Sequence, residues 1–408
     1  MSNPETKKIY LPWYKCFREE FSKASKYILA VEYEPLVSKT IKPETLEIFD
    51  KETLARFIFE SNNIEREGLP FGETRELILL GLEEYPLELF DNEEQEQQNF
   101  KKFISLLKQI KEDTRIDFGI LNHSNILNNS KEEQNQSGYE LIAKYGGKNK
   151  EADKVIQYFL ATRDVNHYTI THRLSHIRDI LLSRFRSRAK VKFKSRKKLE
   201  EIDKQLEKIF ASAPSNIGPL ITEERIKSLH ELMADGLVDE KNAKAGQYRT
   251  KPIMTDMESH YPAPGDIPAA MANFVTKYAE YEAQDLNPIA LAAWASTQFV
   301  LIHPFADFNG RMSRLLINMI LRAHGVPFWV SLRSSGKERT RYLTALKHYR
   351  RKNYLSIATL ISMQLNRGFE DLNDMLELSG HPLITIDQVK DFPREWSDNE
   401  LYFHTWDQ

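Results

Sequence analysis

Along this chain apolar residues recur at spacings of three and four rather than two. The pattern runs through 51–60, 219–234, 268–284, 288–302, 312–324 and 340–365, and each stretch predicts a helix with one buried face or a helix buried all round. Alternating patterns that would predict strands are few, and nothing repeats at a fixed period. The fold class is therefore mainly α. Leu286 to Ala306 carries no charge and is long enough to suggest a membrane span. It nevertheless contains Ser296, Thr297, Gln298 and His303, with Pro288 and Pro304 near its ends, so a buried helix is expected.

The helical stretches divide the chain. Residues 1–120 read as an N-terminal helical region. Residues 121–219 read as a linker followed by a basic helical insertion: 121–150 are rich in Asn, Gln, Gly, Ser and Lys, and Ser212 to Pro219 breaks the pattern before the next unit. Residues 220–366 form the most coherent block, and 367–408 read as a C-terminal tail. Within the block, Gly246 to Gly265 holds too many prolines and glycines for a helix, and a short β-hairpin flap is expected there.

Composition narrows the classes. The chain has 408 residues with 57 Lys plus Arg against 59 Asp plus Glu, so bulk charge selects no nucleic-acid or membrane partner. The single cysteine, Cys16, excludes an intrachain disulfide and a cysteine-built zinc cluster. The first residues lack the apolar core of a signal peptide, which makes a cytoplasmic location the expectation. The Asn-x-Ser triplets at Asn122, Asn128 and Asn135 then read as chance. Charge is uneven locally: nine basic residues fall within 184–198. A solvated connector is the favoured reading of that segment, and docking of an anionic partner is the functional one.

The chemistry concentrates in His303-Pro-Phe-Ala-Asp-Phe-Asn-Gly-Arg-Met-Ser-Arg314. An apolar helix ends at His303, because the residue before a proline disfavours helix. A loop follows, and a new helix starts with Arg311 and Arg314 on one face. A loop entering a helix N-terminus offers free N–H groups to an anion, and two guanidiniums beside it suit a polyphosphate. Asp307 could hold Mg²⁺ and His303 could take a proton from an attacking hydroxyl. Each of these residues, taken singly, has an ordinary structural explanation. Their order within twelve residues does not.

That segment resembles the Fic family signature, His-Pro-Phe-x-Asp/Glu-Gly-Asn-Gly-Arg-x-x-Arg, with Phe308 at the position where the family has glycine. Three further stretches are similar to family elements: Thr222 to Leu232, with Thr222 as N-cap, the first core helix; Ala245-Gly-Gln-Tyr-Arg249 the entry to the flap; and Arg339-x-x-Tyr342-x-x-Ala345-Leu346 a helix near the adenine pocket. The resemblance implies a Fic helical core with a flap, and a protein adenylyltransferase that uses ATP and Mg²⁺ and acts on a hydroxyl of a target protein. His303 becomes the general base and Asp307 the metal ligand. Asp307, Phe308, Asn309, Gly310, Arg311, Met312, Ser313 and Arg314 become the nucleotide site, together with Ile253, Met254, Thr255 and Asp256 of the flap and Tyr342. If the backbone at 308 needs a positive φ, a phenylalanine there is strained.

Upstream, Ser61 and Glu65 resemble the family's inhibitory motif, Ser/Thr-x-x-x-Glu-Gly/Asn, with Arg66 in place of glycine or asparagine. The resemblance implies that Glu65 pairs with Arg314 and blocks the fork that ATP needs. It also leaves open removal of AMP, transfer of another phosphate-linked group, a homodimer, and a degenerate scaffold that binds protein or nucleic acid.

Overall fold

The computed structural model describes residues 12–33, 43–84, 150–166, 168–169, 172, 218–238, 244–255, 261–284, 286–349 and 355–386. The basic segment 184–198 and flap residue Asp256 lie outside the described residues. The helices are α1 (Pro12–Tyr33), α2 (Pro43–Ile64), α3 (Phe71–Glu84), α4 (150–166), α5 (Glu223–Ala234), α6 (Ile267–Ala283), α7 (Pro288–Ile302), α8 (Asn309–Ala323), α9 (Gly336–Tyr349) and α10 (Leu355–Leu378). None of them is long and apolar enough to cross a membrane.

The uncharged stretch is the central helix, α7. Asn287 caps its start by accepting from the Ile289 N–H at 2.9 Å, and Pro288 occupies the first turn, where no N–H is needed. Nearly every side chain of α7 is buried, as an all-apolar helix requires, and it packs against α6, α8 and α10. Thr222 caps α5 through a 3.2 Å bond from the Arg225 N–H. The helix α10 continues through residue 366 to Leu378. Its far half pairs with α1, where Tyr27 stacks on Phe369 at 4.6 Å and Asn366 donates to the Glu20 carbonyl at 3.0 Å.

The N-terminal helices clasp α8. At its C-terminal end Arg322 meets Asp50 of α2 at 2.6 Å and Asn166 of α4 at 2.9 Å. Two turns of α2 further on, Phe57 sits between Tyr158 of α4 and Trp329. These contacts bring the end of α2 to the start of α8.

Of the expected hairpin, 246–255 and 261–265 are described, and residues 256–260 lie outside the described residues. Among the described residues no strand ladder forms, and Thr255 makes an isolated bridge. Pro252, Pro262 and Pro264 have no backbone N–H to donate, and the carbonyls of Lys251 and Pro262 accept from the Arg249 side chain.

Candidate active site

The site lies where α7 ends and α8 begins. His303 terminates α7 in the left-handed region (φ 50, ψ 58), its N–H bonded to the Phe299 carbonyl at 3.0 Å. The His303 Nδ1 lies 3.2 Å from the Val300 carbonyl. A carbonyl only accepts, so Nδ1 carries the proton and Nε2 keeps its lone pair. Burial depresses the imidazole pKa to about 4; the Val300 contact opposes this and the Arg249 charge adds to it. The ring is neutral at pH 7, and Nε2 makes no hydrogen bond to the described residues.

The loop 304–308 is shaped from within. Asn309 grips Phe305 with both ends of its side-chain amide, accepting from the N–H at 3.0 Å and donating to the carbonyl at 2.9 Å, and its nitrogen also donates to the Asp307 carbonyl at 3.4 Å. From α5, His230 stacks on the Phe305 ring at 3.7 Å. Its Nδ1 accepts from the Gly246 N–H at 2.9 Å, so its Nε2–H donates to the Asp307 carbonyl at 3.2 Å. Burial holds His230 to a pKa of about 4. Gly246 itself has φ +73, which favours glycine there.

Phe308 has φ 61 and ψ 4, which accounts for glycine in the family signature. The phenylalanine tolerates it by packing: its ring is buried and lies 3.6 Å from the guanidinium carbon of Arg311. Arg66 repeats the case in the stretch that resembles the inhibitory motif, with φ 64 where the family has glycine or asparagine.

Both arginines of the segment are 2% exposed and are gripped by the turn that ends α2. Arg314 donates from Nε to Ser61 Oγ at 2.7 Å, and from Nη2 to the Ser61 carbonyl at 2.8 Å and to Glu65 Oε1 at 2.7 Å. Burial alone would raise the Glu65 pKa, but Arg314, with Arg311 and Arg339 adding to it, holds it below the usual range. A Cβ built on Gly310 would clash with the Glu65 carboxylate, so the glycine lets the acid lie against the first turn of α8. Arg311 donates from Nη1 to Glu67 Oε2 at 2.8 Å, and Glu67 also meets Lys154 of α4 at 3.1 Å. The Nε of Arg311 is buried without a partner among the described residues.

A proton chain ties the parts together. Arg314 only donates, so Ser61 Oγ accepts from it. The hydroxyl of Tyr158, whose pKa burial pushes up to about 12, donates to the Arg311 carbonyl at 2.9 Å. Ser61 therefore donates to Tyr158 across 2.9 Å. The turn is also held from the other side, where Arg339 donates to the Ile64 carbonyl at 2.8 Å and Asn63 to Ser334 Oγ at 2.8 Å.

The remaining residues singled out in the sequence fall in different places. Tyr342 is buried with its ring 5.8 Å from Arg314. Met312 belongs to the core, and Ser313 returns its hydroxyl to the Gly310 carbonyl at 2.8 Å. In the flap Met254 is 76% exposed, and Thr255 Oγ1 lies 2.8 Å from the Tyr261 hydroxyl. The Tyr261 ring sits 4.5 Å from that of His303. Asp307 is 61% exposed on its side chain, with Oδ1 accepting from the Phe308 N–H at 2.6 Å. No group of three or more His, Cys, Asp or Glu that could hold a metal ion occurs among the described residues. A single exposed carboxylate suits Mg²⁺, which keeps several waters and takes other ligands from phosphate oxygens. Sequence reasoning missed Glu67, Tyr158 and His230.

The sequence model of the Fic/DOC family matches residues 220–321. A Fido domain-containing protein of Dictyostelium discoideum is 35% identical over 122 residues, covering 30% of this chain and 78% of that protein. A protein adenylyltransferase Fic of Drosophila persimilis is 35% identical over 103 residues, covering 25% of this chain and 20% of that protein. The chain thus spans about a fifth of the length of that adenylyltransferase. Among solved structures, Fic-1 (residues 134–508) from C. elegans aligns with a TM-score of 0.51 at 16% identity, covering 90% of this chain and 74% of that one; the likeness is one of fold.

Proposed function

The chain belongs to the Fic/DOC family, and from that premise we propose that it is a protein adenylyltransferase whose resting state is held back by its own N-terminal region. AMP passes from ATP to a serine, threonine or tyrosine hydroxyl of a target protein. The hydroxyl oxygen bonds to the α-phosphorus, the bond from that phosphorus to the oxygen bridging to the β-phosphate breaks, and pyrophosphate leaves. The hydroxyl proton goes to Nε2 of His303.

The observation that carries this reading is the state of His303: neutral at pH 7, its Nδ1–H committed to the Val300 carbonyl, and its Nε2 lone pair unused by the described residues. Such a group is a general base ready for a proton. Around it the chain supplies charge for an anion. The Nε of Arg311, unpartnered among the described residues, is a buried donor that a phosphate oxygen would satisfy, and the first turn of α8 presents its N-terminus to the same place. Asp307 is the residue that would hold Mg²⁺, which when bound neutralises charge on the α- and β-phosphates. Asn309 and His230 act by fixing the loop on which Asp307 sits.

The brake follows from competition for the same donors. While Arg314 holds Glu65 and Ser61, its fork is not available to the γ-phosphate, and Glu67 occupies one arm of Arg311 in the same way. The Glu65 carboxylate also favours a second reading, alignment of a water that removes AMP from a modified protein. One experiment separates the two. Glu65→Gly protein is incubated with α-labelled ATP and Mg²⁺ beside the same protein carrying His303→Ala. Label on the first and none on the second supports transfer. No label on either, with loss of AMP release from a pre-modified protein in Glu65→Gly, supports removal.

A further inference from the structure

Arg249 closes the Gly-x-Tyr-Arg stretch that leads into the flap, and its side chain goes inward. The residue is 3% exposed, and every partner of its guanidinium among the described residues is a main-chain carbonyl. Its Nε donates to His303 at 2.8 Å, Nη1 to Lys251 at 3.0 Å and Nη2 to Pro262 at 2.7 Å. Its own N–H donates to the Pro304 carbonyl at 2.9 Å. The three side-chain bonds thus join both ends of the flap, 251 and 262, to the backbone of the general base itself. Between those ends, Tyr261 lays its ring against the His303 ring and its hydroxyl on Thr255.

Two features point to such a clamp. His303 is a non-glycine residue with φ 50, a conformation that persists only where its surroundings hold it. At both described ends of the flap the Arg249 guanidinium supplies a hydrogen bond to a main-chain carbonyl. A planar guanidinium fixes the directions of its donors, whereas a lysine ammonium is a point charge on a flexible stem.

We infer that Arg249 is a positioning residue for the transfer reaction, holding flap and base in one register so that a hydroxyl presented along the flap meets Nε2 of His303. The inference rests on the adenylyltransferase reading above. Its fork, not its charge, does the work, so lysine is a poor substitute. A misplacement of about 1 Å can lower a rate by about a hundredfold, and Arg249 touches neither Arg311 nor Arg314.

The test uses the full chain carrying Glu65→Gly, with self-labelling from α-labelled ATP as readout and Arg249→Lys and Arg249→Gln as variants. The expected result is a fall in kcat of about ten- to a hundredfold in both, with KM for ATP within about twofold. Amide hydrogen exchange in the same proteins should show 250–255, 261–262 and 303–305 losing protection together. A merely structural arginine would leave labelling unchanged in Arg249→Lys, or would move kcat and KM for ATP together as the whole site loosened; either result overturns the inference. If Glu65→Gly with Arg249 intact takes no label, the adenylyltransferase reading is what has failed. Hydrogen exchange then judges the clamp by itself: concerted loss of protection supports it, and flap opening with 303–305 unchanged overturns it.

Discussion

Changing Glu67 to glutamine removes a charge from Arg311 without changing the shape of the site. Arg311 Nη1 holds Glu67 at 2.8 Å, and under the proposed function nucleotide would have to displace that carboxylate to use the whole fork. A charge-assisted hydrogen bond contributes about 1.5–3 kcal/mol. Two features discount it here: the Glu67 side chain is 30% exposed, and its other oxygen is shared with Lys154 at 3.1 Å. A net hold of about 1 kcal/mol remains, equivalent to about fivefold in affinity. Glu67→Gln in the Glu65→Gly background should therefore bind ATP about fivefold more tightly, measured by calorimetric titration with Mg²⁺. In the wild-type background the gain should be smaller, because Arg314 remains held. Weaker ATP binding in Glu67→Gln would refute this reasoning and show that Glu67 aims Arg311 at the phosphate rather than occupying it.

Two further outcomes follow from the geometry. Phe308→Gly relieves a left-handed non-glycine conformation worth about 1–2 kcal/mol but loses a buried ring worth about 3 kcal/mol or more and its contact with Arg311. A net loss of about 2 kcal/mol in urea unfolding is expected, and a more stable variant would contradict the packing account. The folded pKa of His230, about 4, lies below its unfolded value of 6.5. On acidification the unfolded state therefore binds the proton first: stability is full above pH 6.5, declines between 6.5 and about 4, and levels off below. The difference corresponds to about 3 kcal/mol. His230→Asn should flatten the pH dependence of the urea midpoint over that window by about one proton, and an unchanged slope would show that the histidine is not the source.

The parts of the site that lie within one stretch were legible in the sequence. Pro288 marked the start of α7, the His303-Pro304 pair marked its end, and Thr222 announced α5. The two departures from the family signatures, Phe308 and Arg66, share one physical cause that only φ reveals: both residues are left-handed. The rest depends on contacts between segments far apart in the chain. Glu67 is two residues past Glu65, the glutamate that resembles the family's inhibitory one, and differs from any surface acid only in its contacts, above all with Arg311 of α8. Tyr158 lies on a helix flanked on both sides by polar stretches, and its hydroxyl matters because α4 packs beside α2. The flap reads as a hairpin from its prolines and glycine, and what that pattern does not reveal is the Arg249 side chain holding the carbonyls of Lys251 and Pro262. Ser61 and Glu65 were found by resemblance alone; nothing in the periodicity of α2 distinguishes them from an ordinary helix exit.

The account rests on His303 as the base of a transfer that Glu65 restrains. Self-labelling of the full chain with α-labelled ATP and Mg²⁺ compares wild type, Glu65→Gly, and Glu65→Gly with His303→Ala. Arg314 gives up a bond of about 2 kcal/mol in the single variant, so labelling should rise about thirtyfold over wild type and should vanish when His303 is also removed. Equal labelling of wild type and Glu65→Gly, or label that survives His303→Ala, would contradict it.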